Sequence, residues 1–389
     1  MVTLYDVARI AGVSTATVSR VVHGQDRVRE STRARVQEVI EQLGYIPDSA
    51  AQSLSRRRKD VIGLIYVVRE EKQNDIENMS LLYWDEILRG VEGRIQDDHR
   101  WSLLITSLRA KDERDYSRML SLTGKVDGLL IGEGTLPQPL LDRLMERVPM
   151  VIIAGNPGQI DVVKADNMQG GTALVTHLIE DHGRQRLFHV DGPPYVPDAR
   201  ERRLALEQVV KAHPGSALIG SYRGNFSVLS GEEAGDSILV THGEQLPDAV
   251  VCANDQMAIG VLQAFARAGV RVPAQVAVTG FDDIYPGSLY EPSLTTVHQP
   301  MRLLGDRACG RLLDRIASPA LRPRVESLPT ELVLRSSCGC PPGPESRRPV
   351  VKQPVVKQPV VQAPVVKQAA VPARNPAVLA AGQRPAAEG

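Results

Sequence analysis

Residues 3–22 of the chain, TLYDVARIAGVSTATVSRVV, contain the pattern that decides the fold of its first part. Thr3 precedes apolar residues that share one helical face, and a hydroxyl at this position caps the N-terminus of a helix. Gly12 interrupts the pattern, because glycine readily adopts the positive φ of a tight turn. Ser14 is a second capping residue, and another helix is expected over Thr15–Val22. The stretch therefore predicts two short helices joined by a tight glycine turn.

A third helix is predicted downstream, where four apolar residues recur at helical spacing between positions 36 and 43. Gly44 and Pro47 mark its end. A helix, a glycine turn and a capped second helix are the signature of a helix-turn-helix unit, whose second helix lies in the major groove of DNA. Residues 1–46 are therefore predicted to form an all-α helix-turn-helix DNA-binding head.

Small polar residues cover the outer face of the predicted second helix. Thr15, Ala16 and Arg20 are predicted to contact bases, and the Arg20 guanidinium can donate two parallel hydrogen bonds to guanine O6 and N7. Phosphate contacts are expected from four hydroxyl-bearing residues, Ser14, Thr17, Ser19 and Thr32. The pattern alone leaves open an ordinary three-helix bundle at the start of a domain.

Short apolar runs alternate with amphipathic stretches from about residue 61 to residue 337. The strand-like runs are Val61–Val68, Trp101–Leu108, Val126–Gly132, Val148–Ala154, Arg186–Asp191, Ala217–Tyr222, Ala249–Ala253 and Gln275–Gly280. Continuous apolar strands separated by helices indicate parallel sheets that are buried on both faces. Roughly ten strands are too many for one doubly wound half, so two such halves are predicted, with a ligand cleft at the carboxyl ends of their strands.

Charge is segregated in this chain of 389 residues, although its net charge is zero. Residues 1–60 have a net charge of +3 and residues 61–340 of −8, which indicates that only the head meets a polyanion. No apolar run approaches the ~18 residues of a membrane span, and the N-terminal residues do not have the pattern of a signal peptide. We therefore expect a cytoplasmic protein with no membrane partner.

The last 49 residues differ in composition from the rest of the chain. Residues 341–389 contain ten of the 27 prolines and repeat Val-Val-Lys-Gln-Pro at 350–354 and 355–359. Proline at this density blocks both helix and central strand, so the segment is predicted to be a disordered tail. Cys338-Gly339-Cys340, just before it, provides half of a structural zinc site at best. Reduced, structurally idle cysteines are expected, with no metal and no cofactor.

Motifs of common enzyme classes are absent from the sequence. It has no Gly-x-x-x-x-Gly-Lys-Ser/Thr phosphate loop, no Gly-x-Ser-x-Gly and no His-Glu-x-x-His. We therefore predict no enzymatic activity. A solute receptor built on the same core is a further alternative, but it would have a signal peptide and no DNA-binding head.

The motifs of head and core together resemble those of the lac repressor (LacI/GalR) family. The stretches that carry the resemblance are residues 3–22, Leu43–Pro47, Val126–Leu130, Ala253–Ala258, Gly280–Asp283 and Leu294–Pro300. The resemblance covers about residues 1–337. It implies a periplasmic-binding-protein-like core of two parallel-sheet subdomains, and a homodimeric transcriptional regulator, most simply a repressor, that binds a palindromic operator. Tetrameric relatives carry a C-terminal leucine heptad, which the proline-rich tail cannot form.

The resemblance also implies a hinge helix at residues 48–54, with Leu54 as an apolar wedge in the minor groove. So short a helix is unstable alone in water and is expected to fold only with DNA and its dimer mate. The predicted domains are the head at 1–46, the hinge and linker at 47–59, the effector-binding and dimerisation core at 60–340, and the tail at 341–389. Effector binding is expected to set the spacing of the paired hinge helices through closure of the core.

An effector cleft is implied by the same resemblance. Its expected contacts are Tyr83, Trp84, Arg202, Phe226, Asn254 and Asp282. Arg203 is adjacent to Arg202, so the register there is uncertain by one residue. A carboxylate, an amide and a guanidinium suit hydroxyl groups, which both donate and accept, and aromatic rings suit a ring-shaped ligand. A sugar or sugar phosphate is expected, with a purine or nucleoside as the alternative; whether the effector releases DNA or promotes binding stays open.

Overall fold

A computed structural model describes residues 2–22, 28–45, 58–67, 80–96, 100–108, 113–132, 136–155 and 158–341. The predicted hinge helix with Leu54 lies outside the described residues, and so does the predicted disordered tail from residue 342 onwards. The predicted domain boundaries stay predictions. Among the described helices, none is long and apolar enough to span a membrane.

The head contains the three predicted helices, α1 (Leu4–Ala11), α2 (Thr15–Val22) and α3 (Glu30–Leu43). Thr3 caps α1, and the turn that follows has φ 64° at Gly12, as the sequence pattern requires. Apolar residues from all three helices form one small core, namely Val7, Ala8, Ala11, Val18, Val21, Val36 and Val39. The predicted helix-turn-helix is confirmed.

Six parallel strands form the sheet of the first subdomain. They are β1 (Val61–Val67), β2 (Ser102–Leu108), β3 (Gly128–Gly132), β4 (Met150–Ile153), β5 (Asp161–Ala165) and β11 (Val325–Leu328). The strand order is β11-β5-β4-β3-β1-β2, so the late strand β11 returns to pair with β5. The central strands β3 and β4 are buried along their whole length, as expected for a sheet covered on both faces.

The described residues of this subdomain include four helices, α4 (Ser80–Gln96), α5 (Glu113–Leu122), α6 (Gln138–Met145) and α12 (Met301–Ala317). Helices α4 and α12 approach closely at two glycines. A Cβ atom at Gly90 would lie 1.9 Å from the backbone oxygen of Arg302, and one at Gly305 would lie 2.0 Å from that of Ile87. Only glycine allows this contact, which attaches a helix from late in the chain to the first subdomain.

The second subdomain has a four-stranded parallel sheet. Its strands are β6 (Arg186–Asp191), β7 (Ala217–Arg223), β8 (Ala249–Cys252) and β9 (Ala277–Thr279). Their order is β7-β6-β8-β9. The helices of this subdomain are α7 (Asn167–Glu180), α8 (Pro197–Ala212), α9 (Val228–His242), α10 (Asp255–Arg267) and α11 (Tyr285–Leu289). The predicted pair of doubly wound halves is therefore confirmed.

A short antiparallel ribbon of β10 (Thr296–His298) and β12 (Glu331–Val333) completes the fold, and a 3₁₀ turn at Ser336–Cys338 follows it. The chain passes between the two subdomains after β5, between β10 and α12, and between β11 and β12. These three connections bring side chains that are far apart in sequence to the boundary between the subdomains.

Candidate DNA-reading helix and effector cleft

Helix α2 divides its residues between core and surface as the sequence predicts. Val18 is buried, whereas Ala16 and Arg20 are exposed and Thr15 is half-buried. The Arg20 side chain thus lies on the exposed side of α2, where it has access to solvent. The three residues predicted to contact bases therefore share a face with access to solvent, and their contact with DNA stays a prediction.

The N-terminus of α2 is organised by hydroxyl groups. The Ser14 hydroxyl accepts the backbone N–H of Thr17 at 3.2 Å, and the two hydroxyl oxygens lie 2.9 Å apart. Ser19 is half-buried on α2, and Thr32 is half-buried in the first turn of α3. These four hydroxyl residues are the predicted phosphate contacts, and in the structure Ser14 also caps the N-terminus of α2.

Tyr5 is a residue of the head that the sequence analysis did not select. Its side chain is 76% exposed on α1, opposite the buried face of that helix. An exposed aromatic ring with a hydroxyl beside a DNA-reading helix can contact the sugar-phosphate backbone. Its position outside the apolar stripe was readable from the helical periodicity of residues 4–11.

In the core, Arg202 is the centre of a buried polar cluster. Its guanidinium donates hydrogen bonds to Asn167 Oδ1 at 2.9 Å and to the backbone oxygen of Ala253 at 2.6 Å. It also lies over the ring of Phe281, 3.9 Å from the ring centroid. Arg203, by contrast, pairs with Asp191 at the outer side of α8. Of the two arginines that the sequence left open, Arg202 therefore faces the predicted cleft.

Two carboxyl groups share the single guanidinium of Arg202. Asp282 Oδ1 lies 3.5 Å from Arg202 Nη1, and Asp198 Oδ2 lies 3.7 Å from Nη2. Gln299 donates a further hydrogen bond to Asp282 Oδ1 at 2.5 Å. Burial raises the pKa of Asp282 to about 6, against the opposing effects of Arg202 and Gln299, and burial also raises the pKa of Asp198. The cluster therefore holds more acceptor capacity than its own donors satisfy.

Tyr83 reaches the same cluster from the first subdomain. Its hydroxyl oxygen is buried and has no hydrogen-bond partner among the described residues. Burial, and then the negative charges of Asp198 and Asp282, raise the pKa of the phenol well above its ordinary value. Trp84 instead stacks on Tyr66, with ring centroids 5.4 Å apart. Of the predicted aromatic pair, Tyr83 therefore has a buried hydroxyl without a partner among the described residues, while Trp84 has one ring face already covered.

Asn254 and Phe226 support one another beside the cluster. The Asn254 side chain caps α10 by accepting the backbone N–H of Met257 at 3.0 Å, and it donates to the backbone oxygen of Phe226 at 3.1 Å. Phe226 has φ 72°, and its ring fills the space where a Cβ atom of Gly192 would lie. The amide of Asn254 thus positions Phe226 through backbone contacts, and its predicted contact with an effector stays a prediction.

Comparison with known proteins agrees with this architecture. Residues 3–48 match the bacterial regulatory proteins of the lacI family, and residues 175–338 match the periplasmic binding protein-like domain. The HTH-type transcriptional repressor PurR of Photobacterium profundum is 32% identical over 344 residues, which cover 87% of this chain and 98% of the relative. The chain belongs to the LacI family. The PurR repressor of Vibrio cholerae is also 32% identical, over 346 residues with the same coverage.

Solved structures with the LacI-family fold are also similar to this chain. A lac repressor dimer bound to operator and the anti-inducer ONPF is 29% identical, with a TM-score of 0.76 over 87% of this chain and 99% of that chain. The complex of the transcriptional regulator CelR with cellobiose is 30% identical, with a TM-score of 0.63 over 87% and 100%. The protein is therefore a DNA-binding transcriptional repressor controlled by a small-molecule effector, and not an enzyme.

Three cluster residues of this LacI-family core were not among the predicted contacts. Asp198 precedes Arg202 by four residues on α8, so helical spacing places them on one face, and this signal was readable from the sequence. Asn167 and Gln299 lie at two of the crossings between the subdomains. No sequence pattern brings residues 167 and 299 together, because their proximity depends on the topology of the two sheets.

Proposed function

We propose that this repressor binds a palindromic operator as a cytoplasmic homodimer and that its effector is a neutral carbohydrate. The observation that carries the proposal is the excess of buried carboxyl groups over cationic groups around Arg202. Asp198 and Asp282 offer oxygen acceptors, and Tyr83 adds a buried hydroxyl without a partner among the described residues. Sugar hydroxyls donate to carboxylates and accept from a guanidinium or phenol, so a polyol satisfies each of these groups.

The same cluster distinguishes among the candidate effectors. A sugar phosphate would place its negative charge beside Asp198 and Asp282, where repulsion and burial both oppose it. A purine or nucleoside, the alternative effector, would stack between aromatic rings, but Tyr66 already covers one face of Trp84. Cellobiose, the ligand named for the CelR structure, is a neutral sugar, which supports the carbohydrate class for this chain.

Asp282→Asn is expected to weaken binding of a sugar effector by about 10–150-fold. The variant keeps one acceptor oxygen but replaces a charge-assisted hydrogen bond, and bonds to charged groups contribute roughly 1.5–3 kcal/mol, with each 1.4 kcal/mol equal to about tenfold. Thermal-shift screening of the full chain against neutral sugars, sugar phosphates and purines identifies the ligand, and calorimetry compares the variant. Glu207→Gln, which changes a carboxylate on α8 that is paired with the more exposed Arg203, is the control.

A melting shift with a purine and none with any carbohydrate would contradict the carbohydrate proposal. A sugar whose affinity survives both Asp282→Asn and Arg202→Ala unchanged would keep the ligand class and overturn the residue assignments. A rise in melting temperature with sugar phosphates alone would contradict the argument that Asp198 and Asp282 repel a charged ligand. The three outcomes are distinguishable in one panel of ligands.

DNA recognition is proposed to use Thr15, Ala16 and Arg20 for bases. The proposal is supported by the accessible face that these residues share on α2. The hydroxyls of Ser14 and Thr17 at the N-terminus of α2 are proposed to contact a backbone phosphate. Ser19 and Thr32 are proposed phosphate contacts, and Leu54, in the hinge, is the proposed minor-groove wedge. Together these contacts match a dimer that reads two half-sites related by a two-fold axis.

Arg20→Ala is expected to cost about 1–3 kcal/mol at one operator position and to leave non-specific binding nearly unchanged. The reason is that a bidentate arginine–guanine contact is sequence-specific, whereas a phosphate contact is not. Binding titrations on the operator and on single-base variants measure the effect. Arg35→Ala, an exposed arginine on α3, is the control. Equal weakening on all DNA sequences would make Arg20 a phosphate contact.

A further inference from the structure

Two histidines and two cysteines meet at the C-terminal end of α7, outside the predicted effector contacts. His177 lies in the last turn of α7, and His182 follows its end; Cys338 and Cys340 come from the segment after β12. One nitrogen or sulfur atom of each residue lies within 4.8 Å of the others. In the parts of the chain that the structure describes, no other group of His, Cys, Asp and Glu is arranged in this way. We call these four residues the His–Cys cluster.

Four of the six donor–donor distances in the His–Cys cluster are close to the edges of a coordination tetrahedron, and the other two are within 4.8 Å. Zinc binds cysteine sulfur at about 2.3 Å and histidine nitrogen at about 2.0–2.1 Å, so a regular tetrahedron has N···N edges of about 3.4 Å and N···S edges of about 3.6 Å. The two histidine Nε2 atoms lie 3.1 Å apart. Cys340 Sγ lies 3.4 Å from His182 Nε2 and 3.5 Å from His177 Nε2, and Cys338 Sγ lies 3.6 Å from His177 Nε2.

We propose that the His–Cys cluster binds one Zn²⁺ ion as a tetrahedral structural site. Two nitrogen and two sulfur donors form a set that selects zinc among the common divalent ions. Four protein ligands leave no open position for water or substrate, which is the property of a structural rather than a catalytic site. From the sequence, Cys338 and Cys340 are half a zinc site at best and are expected to be idle; the fold brings two histidines to them from about 160 residues earlier.

Groups around the cluster orient its donors as metal sites require. His177 Nδ1 lies 2.6 Å from Asp181 Oδ2, so Nδ1–H donates to the carboxylate while Nε2 faces the cluster. The Thr295 hydroxyl donates to Cys338 Sγ at 3.1 Å. A hydrogen bond from a hydroxyl to the Cys338 sulfur stabilises the thiolate, which is the form that binds metal.

The backbone beside the four residues also has tight turns at glycines. Gly339, between the two cysteines, has φ 112°, a conformation that side chains other than glycine rarely adopt. Gly183, with φ 62°, turns the chain directly after His182. A bound ion would attach the segment 336–340 to α7, the helix whose first residue, Asn167, accepts a hydrogen bond from Arg202. The inferred function of zinc is to hold the C-terminal segment on the second subdomain.

The test uses the untagged full chain, purified under reducing conditions, with metal content measured by plasma mass spectrometry. One zinc per chain is expected, and cobalt substitution is expected to give the intense absorption of a tetrahedral ion with a thiolate charge-transfer band. The double variant Cys338→Ser/Cys340→Ser is expected to lose both signals. Cys309→Ser and His213→Gln, which alter a cysteine and a histidine outside the cluster, are the matched controls.

Asp181→Ala keeps all four ligands and removes only the carboxylate partner of His177. Loss of such a partner typically weakens metal binding by about 10–100-fold, which competition with a chromophoric chelator measures without unfolding the chain. Zinc removal from the wild-type chain is expected to lower its Tm reversibly, because the ion binds only the folded state. An octahedral cobalt spectrum, zinc retained by the double cysteine variant, or a Cys338–Cys340 disulfide in place of metal would overturn the proposal.

Discussion

Replacing Arg202 with methionine is expected to abolish the response of operator binding to effector and to lower the free energy of unfolding by about 3–5 kcal/mol. The variant keeps the length of the side chain but leaves Asp198 and Asp282 buried without their cation. It also removes the hydrogen bonds to Asn167 and to the backbone of Ala253. Breaking a buried ion pair costs more than the pair contributes, because the remaining charge is left without compensation.

The loss of stability in Arg202→Met is expected to depend on pH. Asp282 already has a pKa of about 6, and without the guanidinium it will bind its proton more tightly. At pH 5 the Asp282 carboxyl is neutral, and the remaining destabilisation comes from the lost hydrogen bonds to Asn167 and Ala253; at pH 8 the destabilisation is largest. Urea unfolding at the two pH values measures this difference, and operator binding with and without effector measures the response.

Arg203→Met is the control for this experiment, because Arg203 is also paired with carboxylates but its side chain is 36% exposed. Exposed ion pairs contribute about 0–1 kcal/mol, so a small change that does not vary with pH is expected. A full effector response in Arg202→Met would exclude Arg202 from the effector site. If both variants lowered the free energy of unfolding equally, the buried cluster around Arg202 would contribute no more to stability than the pairs of Arg203 do.

The fold was predictable wherever apolar periodicity is strong. The eight long apolar runs became strands, and the three head helices formed where capping residues and a glycine turn indicate them. The short strand β5, with the sequence DVVKA, was missed because two of its five residues are charged. Strands β10 and β12 are three residues long, too short for a period to be visible. The pairing of β10 with β12 depends on how the chain connects the two subdomains, and this is set by contacts between residues far apart in sequence.

The site was predictable to the same degree. Arg202 and Asp282 were identified through motifs, and the structure brings their side chains together. Asn254 shows the limit of this approach, because a motif position does not reveal that its amide is engaged by the backbone on both sides. The His–Cys cluster shows the same limit more strongly. Its histidines and its cysteines are separated by about 160 residues, and only the fold brings them together.

Asp255→Asn is expected to remove most of the fall in stability of the core between pH 4 and pH 8. The Asp255 side chain is fully buried at the first residue of α10, where it accepts the backbone N–H of Ile284 at 2.9 Å and the hydroxyl of Thr296 at 2.5 Å. Burial, and then the charge of Asp282, raise its pKa from an ordinary 3.8 to about 8. The proton is therefore held far more tightly in the folded chain than in the unfolded chain.

The direction in which stability changes with pH follows from this difference in proton binding. A carboxyl whose pKa is raised by folding stabilises the folded state fully below pH 4, and that stability is lost as the pH rises to about 8. The loss is on the order of several kcal/mol, since each pH unit within this window corresponds to about 1.4 kcal/mol. Asparagine resembles the protonated carboxyl: its oxygen still accepts from Ile284, and its amide can donate to the Thr296 hydroxyl.

Urea unfolding midpoints from pH 4.5 to pH 8 measure the effect in the full chain. Wild type is expected to lose stability across the window, whereas Asp255→Asn changes less and is the more stable of the two at pH 8. The contribution of Asp282, with a pKa of about 6, remains in both proteins and ends earlier in the window. Asp236→Asn, whose side chain is 60% exposed on α9, is expected to follow wild type. If Asp255→Asn instead destabilised the core at every pH, Asp255 would be ionised in the folded protein, and its contacts with Ile284 and Thr296 would be charge-assisted bonds.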